Sequence, residues 1–218
     1  VTTSDLSDAA VVEISARHRR AFADLVSSLD ATQLAAPSLC AGWDVRTVAG
    51  HLVSALTTTI PSFLAQVLWA RGNLDRAVDR AARREATRPV EELVAVLRER
   101  ADSSVAPPGI GTRGPMTDAI VHTGDVVVPL GLPFDPDPAD VCVALNFVVG
   151  RVPPGFTTKH RVAGLRFVAD DARFDAGQGA QVRGRAIDVL LAVCGRPAVL
   201  DRLTGDGVAT LAGRLTRR

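Results

Sequence analysis

The sequence predicts a mainly α protein: an up-and-down four-helix bundle followed by a small α+β unit. Three observations carry that prediction. Hydrophobic residues make up 47% of the 218, yet aromatics are only 4% and tyrosine is absent. The core must therefore be aliphatic, and abundant Ala, Val and Leu favour helices packed at short range. Apolar residues recur at steps of three and four through the first two thirds of the chain, the period of an amphipathic helix. The connections between these stretches are short, which favours antiparallel neighbours.

Taken in order, the first helix runs from about Asp8 to Leu29, with Val11, Ile14, His18, Phe22, Leu25 and Leu29 on one stripe. A polar loop containing Pro37 follows. Asp44 is a natural N-cap for the second helix, and Trp43 and Val48 have the spacing of a hydrophobic staple. Pro61 can open another helix. The stretch Asp75 to Arg84 reads as a charged, exposed helix. A further helix covers Pro89 to about Ala101. The Pro/Gly-rich loop APPGIGTRGP separates it from a helix over about Met116 to Val128, which Pro129 and Gly131 stop. After the turn-rich FDPDPAD, Ala139 to Val149 reads as one more helix. Val162 to Ala169 and the segment at Phe174 read as short strands, and Val182 to Leu215 as helix broken at Gly195-Arg196-Pro197 and Gly205-Asp206-Gly207. The expected division is a bundle over residues 1–151 and an α+β domain over 152–218.

Several function classes lack support. Net charge is +1, from 25 basic and 24 acidic residues, without the basic stripe that a nucleic-acid partner requires. The start, VTTSDLSDAAVVEI, has no signal-segment pattern. No apolar run approaches the roughly 18–20 residues of a bilayer span. A cytoplasmic protein without a membrane partner is expected. Cys40, Cys142 and Cys194 form no CxxC pair, so neither a disulfide framework nor a structural zinc motif is indicated. None has ligand spacing to a histidine in sequence, and all three read as buried free thiols.

The residues that can carry chemistry are few. Asp118 and His122 are four apart, hence one turn apart on one helix face, and Asp125 lies on that face too. A carboxylate and an imidazole at this spacing can clamp one metal ion. The same spacing also fits a solvated polar face or a histidine held by its own aspartate. His51 lies at the edge of the second helix's apolar stripe and, alone, is more often a satisfied core histidine than a ligand. Together, two imidazoles and one carboxylate are the ligand set of a zinc site with an open position. Asp125 can orient a ligand or cap the helix end. Arg196, in the Gly-Arg-Pro break, can anchor an anionic substrate or serve a helix end.

Three segments resemble one known family in order along the chain. CAGWDVRTVAGHL is similar to the segment that opens the second helix in the mycothiol-dependent maleylpyruvate isomerase family. GPMTDAIVHTGDVVVPLGLP resembles its second signature, a carboxylate, three residues, then His and a nearby Asp. VRGRAIDVLLAVCGRPAVLDRLTGDGVATLAGRL resembles its C-terminal segment. The resemblance implies a DinB-like bundle, a divalent metal (zinc by ligand type) on His51, Asp118 and His122, and mycothiol as thiol cofactor. Asp118 stands where some members carry Glu, which shortens the reach but keeps an oxygen ligand. The implied activity is maleylpyruvate isomerisation or thiol S-transfer to a small electrophile. The reactive sulfur would then come from the bound small thiol. A non-catalytic metal-binding bundle with a sensing or interaction role is the alternative, and a purely structural bundle a third.

Overall fold

A computed structural model describes residues 6–106 and 109–216. Residues 1–5, at the chain start read above, and Pro107 and Pro108 of the expected loop lie outside the described residues. The chain is mainly α with one small sheet, as expected, and divides into two compact units, Ala9–Pro133 and a second built on Phe134–Arg218.

The first unit holds α1 (Asp8–Ser28), α2 (Ala31–Leu34), α3 (Val45–Thr57), α4 (Ile60–Trp69), α5 (Leu74–Glu85), α6 (Val90–Glu99) and α7 (Arg113–Leu130). Helix α3 is its centre and packs on α5, α6 and α7. Its start follows the sequence: Asp44 Oδ1 accepts from the Thr47 amide at 2.7 Å, filling one of the orphan donors of the first turn. Val48 and Leu52 of α3 share one core with Phe22 and Val26 of α1, Leu93 and Leu97 of α6, and Val126 of α7. A buried cation ties α1 to the end of α6: Arg19 Nη1 donates to the carbonyls of Ala101 and Ser103, both at 2.8 Å. Among the described residues no helix is long and apolar enough to cross a membrane.

Helix α5 departs from the expectation of an exposed charged helix. Arg76, Arg80, Arg83 and Arg84 are indeed exposed, but Ala77, Ala81 and Ala82 are buried on a helix that packs closely against α3. Alanine carries little hydrophobic signal, so the stripe is faint in sequence, yet its small side chains let two backbones approach. Gly50 completes that approach from α3. A Cβ there would lie 2.4 Å from the Ala82 carbonyl oxygen and 2.7 Å from the Ala86 nitrogen.

Helix α7 begins before the expected Met116, because Pro115 falls in the first turn, where a missing N–H costs nothing. It also runs past Pro129, which sits inside the last turn, and ends at Gly131 with φ 64°.

The second unit contains α8 (Pro138–Arg151), α9 (Lys159–Val162), β1 (Leu165–Ala169), β2 (Asp175–Gly177), β3 (Ala180–Gly184), α10 (Ala186–Val193), a 3-10 turn at Pro197–Arg202, and α11 (Val208–Thr216). Three expectations change here, the first being that Val162, read as the start of a strand, closes α9, and β1 begins at Leu165. Helix α8, assigned from sequence to the 1–151 domain, packs on α10 and β2, so the proline-rich linker before it marks the division instead of residue 152. Val182, read as the start of a helix, lies in β3. The strand's inward positions are Val182 and Gly184, and glycine leaves the period of two nearly invisible. The sheet order is β2-β1-β3, with β2 antiparallel to β1 and β3 parallel to it.

The α3–α5 contact makes a direct prediction. Gly50→Ala should destabilise the protein by about 1–3 kcal/mol through overpacking against backbone atoms that cannot swing away. Denaturant unfolding of the two proteins reads the difference; equal midpoints would show that α3 and α5 are not in this close contact.

Candidate metal centre

The cluster is built where α3 faces α7. On α7, Asp118 and His122 are one turn apart, and His51 comes from the middle of α3. Asp118 uses one oxygen for each imidazole: Oδ2 lies 3.2 Å from His51 Nε2, and Oδ1 lies 3.3 Å from His122 Nε2. The two rings meet edge to face with centroids 4.7 Å apart. The three side chains can each direct one ligand atom to a common point, all within 4.8 Å of one another. They are largely but not wholly buried, with side-chain exposures of 14% for His51, 23% for Asp118 and 10% for His122.

Asp125 is fully buried, and its Oδ2 lies 2.9 Å from His122 Nδ1. This contact holds Nδ1 of His122 on Asp125 and turns Nε2 toward Asp118 and His51. A histidine ligand held from behind by a carboxylate is the usual arrangement in metal sites, because it fixes tautomer and ring orientation. Among the described residues His51 has no such support: its Nδ1 is buried without a hydrogen-bond partner. Trp43 covers the pair, with its ring centroid 5.3 Å from that of His51 and 6.4 Å from that of His122. Its Nε1 donates to Asp79 of α5 at 2.8 Å.

Charge and burial compete at this cluster. Burial opposes ionisation of Asp118, but the charges of His122 and His51, with their hydrogen bonds, outweigh it and hold the carboxyl well below its ordinary range. Burial likewise opposes protonation of His122. The Asp118 charge and the contacts to Asp118, Asp125 and Cys40 outweigh it and raise His122 well above the ordinary histidine value. Burial lowers Arg19 of α1, while Asp118 and Asp102 oppose that shift. Asp118 is thus an ionised carboxylate among cationic or polar groups. Two imidazole nitrogens and a carboxylate oxygen converging from rigid helices fit a divalent cation that accepts mixed N and O ligands, zinc among them.

The structure brings together His51, Asp118, His122 and Asp125. Arg196 belongs to the second unit, where it precedes the 3-10 turn and its Nη1 donates to the Cys194 carbonyl at 2.5 Å. Cys40 corrects the sequence reading. Its Sγ lies 3.0 Å from Asp125 Oδ2 and 3.6 Å from His122 Nδ1, so one of the three cysteines does sit beside a histidine of the cluster. Trp43 and Arg19 were also missed as neighbours of the site. No sequence spacing links Cys40 to residues more than 80 positions away. The only local signal was its place three residues before Trp43.

Comparison with known proteins bears on the N-terminal segment and the fold. Residues 15–109, which include His51 but neither Asp118 nor His122, match the model of the mycothiol maleylpyruvate isomerase N-terminal domain. No match is found among curated proteins. Two solved structures are similar: the mycothiol-dependent maleylpyruvate isomerase, at 14% identity, and a variant of it with a histidine replaced by alanine, at 13% identity. In each case the TM-score is 0.64, covering 94% of this chain and 95% of the other. At that identity the likeness speaks for the fold, and it extends over both units. Residues 15–109 are thus similar to the mycothiol maleylpyruvate isomerase N-terminal domain, and the chain shares the fold of a mycothiol-dependent maleylpyruvate isomerase.

Proposed function

We propose that the protein is a metal-dependent enzyme that uses mycothiol as its thiol and acts on a small electrophile, by isomerisation of a maleylpyruvate-like substrate or by thiol transfer. The observation that carries this reading is the convergence of His51, Asp118 and His122 within a fold shared with a mycothiol-dependent isomerase. Those three residues would hold the cation, with zinc favoured by the donor set. A divalent cation stabilises a thiolate over a thiol, so together with a small thiol it would supply a nucleophile at neutral pH.

The chain's own residues have separate tasks. Asp118 supplies negative charge between the two imidazoles, one carboxylate oxygen toward each ring. His122 presents Nε2 because Asp125 accepts its Nδ1 proton. Trp43 shields both rings from water on one side. Arg196 we retain as the proposed anchor for an anionic group. The same reading makes the protein cytoplasmic, with a small thiol and a small electrophile as its partners.

Two predictions follow from these roles. Removing one of three protein ligands should cost more than the ~10–100-fold in affinity typical of losing an outer partner. His51→Ala and His122→Ala should therefore carry little zinc by elemental analysis, and thiol-dependent turnover should vanish with it. Stoichiometric tight zinc in either variant would show the ligands are misassigned, and zinc without thiol-dependent turnover would favour a non-catalytic bundle.

The second concerns the sulfur. Burial, with Asp171 and Asp137 nearby, pushes the Cys142 thiol up to about 11, so at pH 8 it is protonated and a poor nucleophile. Iodoacetamide should leave Cys142 unmodified in the folded protein, as peptide mapping would show. A Cys142→Ala, Cys194→Ala double variant should keep thiol-dependent activity. Activity without added thiol, lost in that variant, would assign the nucleophile to the protein instead.

A further inference from the structure

The last turn of α7 is held by one loop at two points. Pro129 has no N–H, so the carbonyl of Asp125, four residues earlier, lacks its ordinary helical donor. That carbonyl accepts from the Leu39 amide at 3.0 Å. The next residue, Cys40, donates its thiol hydrogen to Asp125 Oδ2 at 3.0 Å. One loop thus grips both the backbone and the side chain of Asp125.

The loop can do this because it is closed on itself. Pro37 and Asp44 form an antiparallel bridge across its base. Ser38 donates to the Trp43 carbonyl from both its amide, at 3.0 Å, and its hydroxyl, at 2.9 Å. The Trp43 amide returns to the Cys40 carbonyl at 3.0 Å. Asp125 is 0% exposed, so water cannot readily replace a lost donor.

We propose that Cys40 is a positioning residue of the metal centre: through Asp125 it holds the His122 ring with Nδ1 protonated and Nε2 turned to His51 and Asp118. This rests on reading the cluster as a metal centre. The chemistry suits a thiol. It has one hydrogen to give and accepts weakly, so it supplies Asp125 with a donor without competing for the His122 proton. Serine at position 40 would keep a donor. Alanine would remove it and leave a buried carboxylate with one partner fewer.

The test uses the full chain as wild type, Cys40→Ala and Cys40→Ser. Zinc affinity is measured by competition with a chromophoric chelator, and the cobalt(II)-loaded forms by visible absorption. In the metal-free proteins, NMR of 15N-labelled histidine follows exchange of the His122 Nδ1 proton with solvent. Cys40→Ala should weaken zinc binding by about tenfold or more, alter the cobalt bands and speed that exchange. Cys40→Ser should restore most of each. Unchanged affinity and unchanged exchange in Cys40→Ala would overturn the proposal. So would a sulfur-to-cobalt charge-transfer band in the wild type that disappears in Cys40→Ser, since Cys40 would then be a ligand. A wild type that binds no zinc would end the enzyme reading, and the proton-exchange comparison would still decide the role of Cys40.

Discussion

The centre depends on one electrostatic arrangement, an aspartate shared between two imidazoles. Asp118 sits where burial alone would favour the neutral acid, and the two histidines reverse that preference. Each carboxylate oxygen has its own ring nitrogen, so the three side chains form a preorganised set of donors. The arrangement has a helical origin. The step of four residues puts Asp118 and His122 on one face of α7, and packing of α3 against α7 brings His51 opposite them.

The rest of the first unit supports that geometry. Helix α3 can carry His51 to α7 only while its other side is firmly seated. Gly50, adjacent to His51, and the alanines of α5 provide that seat. Trp43 links the same two layers, lying over the histidine rings while its Nε1 reaches Asp79 on α5. On the far side of His122, Asp125 and the loop at 37–44 fix the ring from behind. Residues without chemistry of their own, such as Gly50 and Pro129, thereby set the position of those that have it.

How much of this was legible in the sequence depended on range. The Asp118–His122 spacing, the Asp44 cap and the apolar stripes of α1 and α3 are local, and all three appear in the structure. His51 could be joined to the α7 pair only through family resemblance, since 67 residues of separation carry no geometric information by themselves. Cys40 was invisible as a member of the site because its partners lie on a helix brought close by tertiary packing. The buried face of α5 was hidden by alanine's weak hydrophobic signal, and β3 by glycine at an inward position. The division before α8 was misplaced because a helix's periodicity shows which face is buried, not against which neighbour.

In the proposed centre, His51, Asp118 and His122 bind one cation through nitrogen and oxygen, with Cys40 outside the coordination sphere. X-ray absorption spectroscopy of the zinc-loaded protein without added thiol tests this most directly. The expected spectrum has a first shell of nitrogen and oxygen at roughly 2.0–2.2 Å, with the outer scattering of two imidazoles. A sulfur neighbour at about 2.3 Å, or a shell lacking imidazole scattering, would contradict it.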